Sequence, residues 1–167
     1  MTDKDRAIAE IVDDLRRIFQ AVHSYTRRAK KASGLTGPQL WAIKMIADSG
    51  SIRVSDLSRK MYLHPATVIG ILDRLTRLGL IKKSRSRKDR RVVHISLTKA
   101  GKEVVEQSPE VAQGMIVSGL EALSAQRLGM LSDGMKDMVR ILQAQELPPN
   151  LLLSREVNIP VNAPRKG

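Results

Sequence analysis

Seven of the ten residues in KKSRSRKDRR, Lys82 to Arg91, are Lys or Arg, and one is Asp. Such a cluster suits one chemistry above others. Ammonium and guanidinium groups make charge-assisted hydrogen bonds to phosphate oxygens, and the planar arginine fork can do so bidentately. The stretch carries +6 of the net +12 of the 167-residue chain. A polyanionic partner is expected, nucleic acid ahead of an acidic membrane surface. The competing explanation, a solubilising surface charge, is normally spread over the whole surface rather than gathered in one place.

Other chemistries find no comparable pattern. His23, His64 and His94 fall on different elements, no Gly-rich phosphate loop or nucleophile motif occurs, and no acidic pair stands out. The expectation is a protein that is not an enzyme, with no catalytic residue, metal or cofactor. The chain contains no cysteine, which removes disulfides and thiolate metal sites. No apolar run reaches the ~18 residues of a membrane span, and the charged MTDKDRAIAEI has no signal-peptide apolar region. A cytoplasmic protein without membrane contact is expected.

The elements that must hold the cations can be read outward from them. Leu80 to Lys83 forms a short strand, and Val93, Ile95 and Leu97 alternate with His94 and Ser96 in a second, half-buried one. Ser84 to Arg91 is then the loop of a hairpin, a basic wing held in place rather than a loose tract. Upstream, Ile11, Val12, Leu15, Ile18, Phe19 and Val22 place one stripe on a long helix ending near Gly34. A second helix opens at Thr36, which has capping-box spacing to Gln39, with Leu35 and Leu40 placed as a staple, and runs to about Asp48. VSDLSRKM is an amphipathic turn or two. After a break at 62–64, another helix opens on Pro65 with Val68, Leu72, Leu75 and Leu78 facing inward.

A short helix, a turn and a longer helix make a helix-turn-helix, and the charged hairpin directly after it makes a winged helix. The outward residues of the second helix are Ala66, Thr67, Ile69, Gly70, Asp73, Arg74 and Arg77. Among them and the preceding residue, only His64 and Thr67 offer polar base readout at the helix start. Ala66 and Ile69 suit thymine methyl groups, and Arg74 and Arg77 suit phosphate or guanine.

LDRLTRLGLI (72–81), DRRVVHISLT (89–98) and the following TKAG together resemble the winged helix of the MarR (multiple antibiotic resistance regulator) family of bacterial transcription factors. The winged-helix likeness covers about residues 36–101, and the helices on either side extend it to about 5–146. The resemblance implies that Arg91 enters the minor groove and that Asp89, two residues earlier, orients it. A carboxylate can fix a guanidinium through paired hydrogen bonds; alternatively Asp89 only turns the hairpin. The expected DNA-binding set is His64, Ala66, Thr67, Ile69, Gly70, Arg74, Arg77, Lys82, Arg85, Arg87, Lys88, Asp89, Arg90 and Arg91. One departure from the family pattern is the start of the recognition helix, HPATVIG, where Ser or Thr with further polar residues is usual. Base specificity is therefore expected to be modest or to lean on DNA shape.

The rest of the chain reads as dimerisation machinery. Thr98 caps a helix with Val104, Val105, Ala112, Met115 and Ile116, expected to kink at Pro109. Ser124 caps another with Leu128, Leu131, Met135, Met138 and Leu142. Neither stripe could be buried on a winged helix of about 60 residues alone, and the resemblance implies a homodimer. After Leu147 come four of the seven prolines, an extended tail in which Leu151 to Leu153 suggest some packing.

The expected architecture is mainly α with a small β-hairpin wing, a winged helix-turn-helix plus a helical dimerisation domain. Its parts are a dimerisation helix at 5–34, the DNA-binding domain at 35–98, further dimerisation helices at 99–146 and the tail at 147–167. The expected function is sequence-specific binding of double-stranded DNA at a pseudo-palindromic operator, as a repressor relieved by a small aromatic or phenolic effector. His23, Tyr25, Trp41 and Met45 are candidates to line the effector site, and plain core burial is the competing role of each. A nonspecific nucleic-acid-binding winged helix and a protein-interaction module remain open as alternatives.

Overall fold

The computed structural model describes residues 2–85, 92–148 and 151. Helix α1 (Asp3–Ser33) starts from a capping box that the sequence reading overlooked: Asp5 N–H donates to Thr2 Oγ1 at 3.1 Å, and Thr2 N–H donates to Asp5 Oδ2 at 2.8 Å. It stops at Gly34, whose φ of 70° suits a residue without a side chain. Only Val22 and Ala29 of this 31-residue helix are buried.

Helix α2 (Gly37–Ser49) is the central core helix. Its Gln39 side chain accepts the Thr36 N–H at 3.1 Å, as the capping-box spacing predicts. Leu35 and Leu40 are both buried, along with Trp41, Ala42, Ile43 and Ile46. The strand β1 (Ile52–Arg53) was not anticipated, because two residues show no periodicity. It leads straight into α3 (Val54–Lys60), and a turn through Tyr62, a non-glycine residue at φ 51°, carries the chain to α4 (Pro65–Arg77).

The inward face of α4 differs from the expected stripe. Val68, Leu72 and Leu75 are buried, but the fourth buried residue is Ile71, and Leu78 is 44% exposed. Leu78 caps the helix and precedes Gly79 at φ 70°, so the chain turns away before the stripe continues. Strands β2 (Ile81–Arg85) and β3 (Val93–Leu97) form the expected hairpin, pairing Ile81 with Leu97 and Lys83 with Ile95. β1 pairs with the other edge of β3, giving a three-stranded antiparallel sheet of order β1-β3-β2.

The hairpin is locked to the helix after it. Thr98 Oγ1 donates to the Gly79 carbonyl at 2.7 Å and accepts from Gly101 N–H at 3.1 Å, while Thr98 N–H donates to the Leu80 carbonyl at 3.0 Å. A Cβ on Gly101 would lie 2.1 Å from the Leu80 carbonyl oxygen, so only glycine fits this contact. Gly101→Ala must push the helix that Thr98 caps away from the Leu80 backbone. A loss of about 3 kcal/mol is expected for overpacking a tight site, which lowers Tm by about 6–12 °C in a thermal melt. A melting temperature within about 2 °C of the parent would show that the junction gives way freely.

One expectation about the following segment is corrected. Residues 99–121 are not one kinked helix but two, α5 (Lys99–Gln107) and α6 (Ala112–Glu121). Pro109 excludes helical backbone at the residue before it, and Ser108 is extended at ψ 141°. Lys44 Nζ fastens the break, reaching the Ser108 carbonyl at 3.4 Å and Glu110 Oε1 at 3.2 Å. Helix α7 (Ala125–Ile141) is capped by Ser124 as expected and has no buried residue. Leu151 packs against the core, in keeping with the packing expected of the tail, whose other residues from 152 on lie outside the described ones. Among the described residues no helix is long and apolar enough to cross a membrane.

Candidate nucleic-acid interface

Helix α4 turns one face to solvent. Ala66, Ile69, Gly70, Asp73, Arg74 and Arg77 are exposed on it, and Thr67 is half-buried. His64 is the N-cap, with Nδ1 accepting the Ala66 N–H at 3.3 Å. That bond makes Nε2 the protonated nitrogen, a donor available at the start of the helix. Ile69, at 47% exposure, offers an apolar surface of the kind that meets a thymine methyl. A Cβ on Gly70 would meet nothing within 4 Å, so no packing within the chain requires glycine there.

Strand alternation divides the cations of the wing's first strand. Lys83 Nζ reaches Asp73 Oδ1 on α4 at 2.7 Å, so Lys83 lies on the α4 side, and Arg85, two residues on, shares that side. Lys82 is turned the other way. It lines a cavity of about 480 Å³ with Ser96, Lys102, Glu106 and the end of α2. Arg74 and Arg77 therefore share the exposed face of α4 with Ala66, Ile69 and Gly70, Arg85 falls on the side of β2 that meets α4, and Lys82 is left apart. Residue patterning carried this signal, since period two in β2 puts Lys82 and Lys83 on opposite faces. Arg87, Lys88, Asp89, Arg90 and Arg91 lie outside the described residues.

The four residues expected around an effector differ in setting. Trp41 is a core residue at 5% exposure and lies against Gly114 of α6. Met45 is half-buried against the same core, His23 is exposed, and Tyr25 carries the Arg28 guanidinium 4.4 Å from its ring centre. A different cavity, of about 390 Å³, lies between the helix-turn-helix and the C-terminal helices. Tyr62, Val117, Leu120, Leu123 and Leu128 line it with Glu121. Tyr62 Oη donates to Glu121 Oε1 at 2.9 Å, and this hydrogen bond to a carboxylate holds the phenol above its ordinary pKa. Among the described residues no group of His, Asp and Glu could hold a metal ion.

Comparison with known proteins places this geometry. Residues 35–93 match the MarR family model. The HTH-type transcriptional repressor MdtR of Bacillus subtilis is 27% identical over 165 residues, covering 99% of this chain and 98% of its own length. The organic hydroperoxide resistance transcriptional regulator of the same organism is 30% identical over 108 residues, covering 65% of this chain and 72% of its own. The fold is shared with FabT of Streptococcus pneumoniae, solved in complex with DNA, at a TM-score of 0.56 and 22% identity over 81% of this chain and 97% of FabT. With a family match spanning the helix-turn-helix and the first strand of the wing, and regulators similar along its length, this chain belongs to the MarR family of DNA-binding transcription regulators.

Proposed function

We propose that the protein works as a homodimeric repressor on a pseudo-palindromic operator. The apolar surface left bare on α1, α6 and α7 carries this reading. Ile8, Ile11, Ile18 and Phe19 on α1 are each more than half exposed, as are Met130, Met135 and Ile141 on α7. Large apolar side chains left exposed along whole helices mark an interface, and a twin chain covers them by two-fold symmetry. Two recognition helices then face successive turns of one DNA face, each flanked by its wing. The named relative MdtR is itself called a repressor.

His64, Ala66, Thr67, Ile69 and Gly70 would read base edges, Arg74, Arg77 and Arg85 would hold phosphates, and Arg87, Lys88, Arg90 and Arg91 would complete the wing with Asp89. Relief by a small aromatic or phenolic effector belongs to the same proposal. The site we assign it is the apolar cavity beside Tyr62, whose volume of about 390 Å³ falls in the usual range for small ligands. An occupant there would press on the Tyr62–Glu121 bond and so on the turn of the helix-turn-helix.

Selection from random DNA tests the reading. The expected product is a two-fold site with half-site centres about 10 bp apart. Enrichment without any symmetric site would favour a nonspecific binder, and no retention of DNA at all would leave only a protein-interaction module.

A further inference from the structure

The exposed face of α4 carries one residue that electrostatics argues against. Asp73 sits one position before Arg74 and one turn before Arg77, on the surface that the proposed interface turns toward DNA. A carboxylate there is repelled by phosphates. Its partner is not a neighbour on the helix but Lys83, ten residues on, in the first strand of the wing, at 2.7 Å. Between them the chain makes a tight turn through Leu78, Gly79 and Leu80, with Gly79 at φ 70° and its carbonyl held by Thr98 Oγ1. The ion pair closes the triangle formed by α4, this turn and β2.

We propose that Asp73 and Lys83 are positioning residues, a strut that fixes the angle between recognition helix and wing so that major-groove and minor-groove contacts are made in register. The inference rests on the reading of α4 and the wing as the DNA interface. The side chains of Lys83 and Asp73 are 38% and 53% exposed, and an ion pair so open to water contributes little to stability in the free protein. Against DNA, where water is displaced, the same pair is screened less. Its weight therefore falls on the bound geometry rather than on folding. The strut also withholds Lys83 from phosphate, which separates it from the other wing cations.

Charge alone and geometry predict opposite signs for one variant. Removing the carboxylate in Asp73→Ala makes the surface more positive, so pure electrostatics requires tighter binding. If the strut acts, Asp73→Ala instead weakens binding to a selected operator by about tenfold, a coupling usual for contacting residues, and does not weaken binding to scrambled DNA. Lys83→Ala behaves alike, the double variant loses no more than the worse single one, and the exchange Asp73→Lys with Lys83→Asp regains part of the loss. Melting temperatures of all of these stay near the parent's.

Tighter operator binding by Asp73→Ala overturns the proposal. So does a Lys83→Ala variant that loses equally on both DNAs with a salt slope smaller by about one, since that is the signature of a phosphate contact. Arg74→Ala and Arg91→Ala run alongside as references. If neither weakens binding, the interface reading itself falls and the strut with it; if they weaken it and Asp73→Ala does not, the strut alone is wrong.

Discussion

Raising salt from about 50 to about 200 mM is expected to weaken operator binding by about 10³ to 10⁵. The size follows from counterion release. Each protomer presents Arg74, Arg77 and Arg85 on the α4 side, and KKSRSRKDRR continues into four further cations after Arg85. Doubled by a two-fold dimer, these supply the roughly six to ten phosphate contacts that give such a slope. Titrations at several salt concentrations measure it directly. Two substitutions show where the charge acts. Lys82→Ala should leave affinity nearly unchanged, because Lys82 faces Lys102 and Ser96 on the far side of the sheet. Arg91→Ala should cost more on the operator than on scrambled DNA if it enters a narrow minor groove. Equal losses for both residues on both DNAs would reduce the wing to a basic tract.

A charge placed on the bare face of α7 is expected to separate the protomers. Leu131 is 44% exposed and Met135 56%, one turn apart, so aspartate at both positions meets water in the single chain and an apolar partner in the dimer. Leu131→Asp with Met135→Asp should convert a dimer to a monomer in light scattering at micromolar concentration. Far-ultraviolet dichroism should report that the winged helix stays folded, since none of α7 is buried within the protomer. A monomer must bind each half-site independently, and the lost avidity lowers operator affinity by about 10² to 10⁴. A dimer of unchanged affinity would mean that another surface joins the chains.

What the residues disclosed in advance was set by how far a pattern extends. The hairpin was legible because Val93, Ile95 and Leu97 repeat at period two, and the faces of β2 and β3 follow from their register. β1 was not, since Ile52 and Arg53 form a strand only by meeting Ile95 and His94, more than forty residues away. The start of α6 was hidden for a different reason. Pro109 announces an interruption, but whether helices resume in line or apart depends on the burial of Val111 and Ala112 against the core. For the interface, the exposure of Ala66, Ile69, Gly70, Asp73, Arg74 and Arg77 on α4 was anticipated, whereas Thr67 is half-buried and Leu78, expected inward, is exposed. The role of Asp73 was not anticipated, because its partner lies on another element; nor was that of Tyr62, whose glutamate is 59 positions away. For Trp41 the residue type left an effector wall and plain core burial both open, and its 5% exposure beside Gly114 places it in the core.

The order of the elements has a consequence for how the protein is made. The bare stripe of α1 precedes α7 by the 91 residues between Ser33 and Ala125. At roughly 5–20 residues per second, a ribosome takes about 5–18 s to cross that interval. Residues 35–97 hold most of the winged-helix core and can close during it, but the stripe of α1 emerges long before the helix that would share its interface. Each nascent chain therefore carries an uncovered apolar helix for seconds. Neighbouring chains on one messenger, at high local concentration, are the first partners it meets.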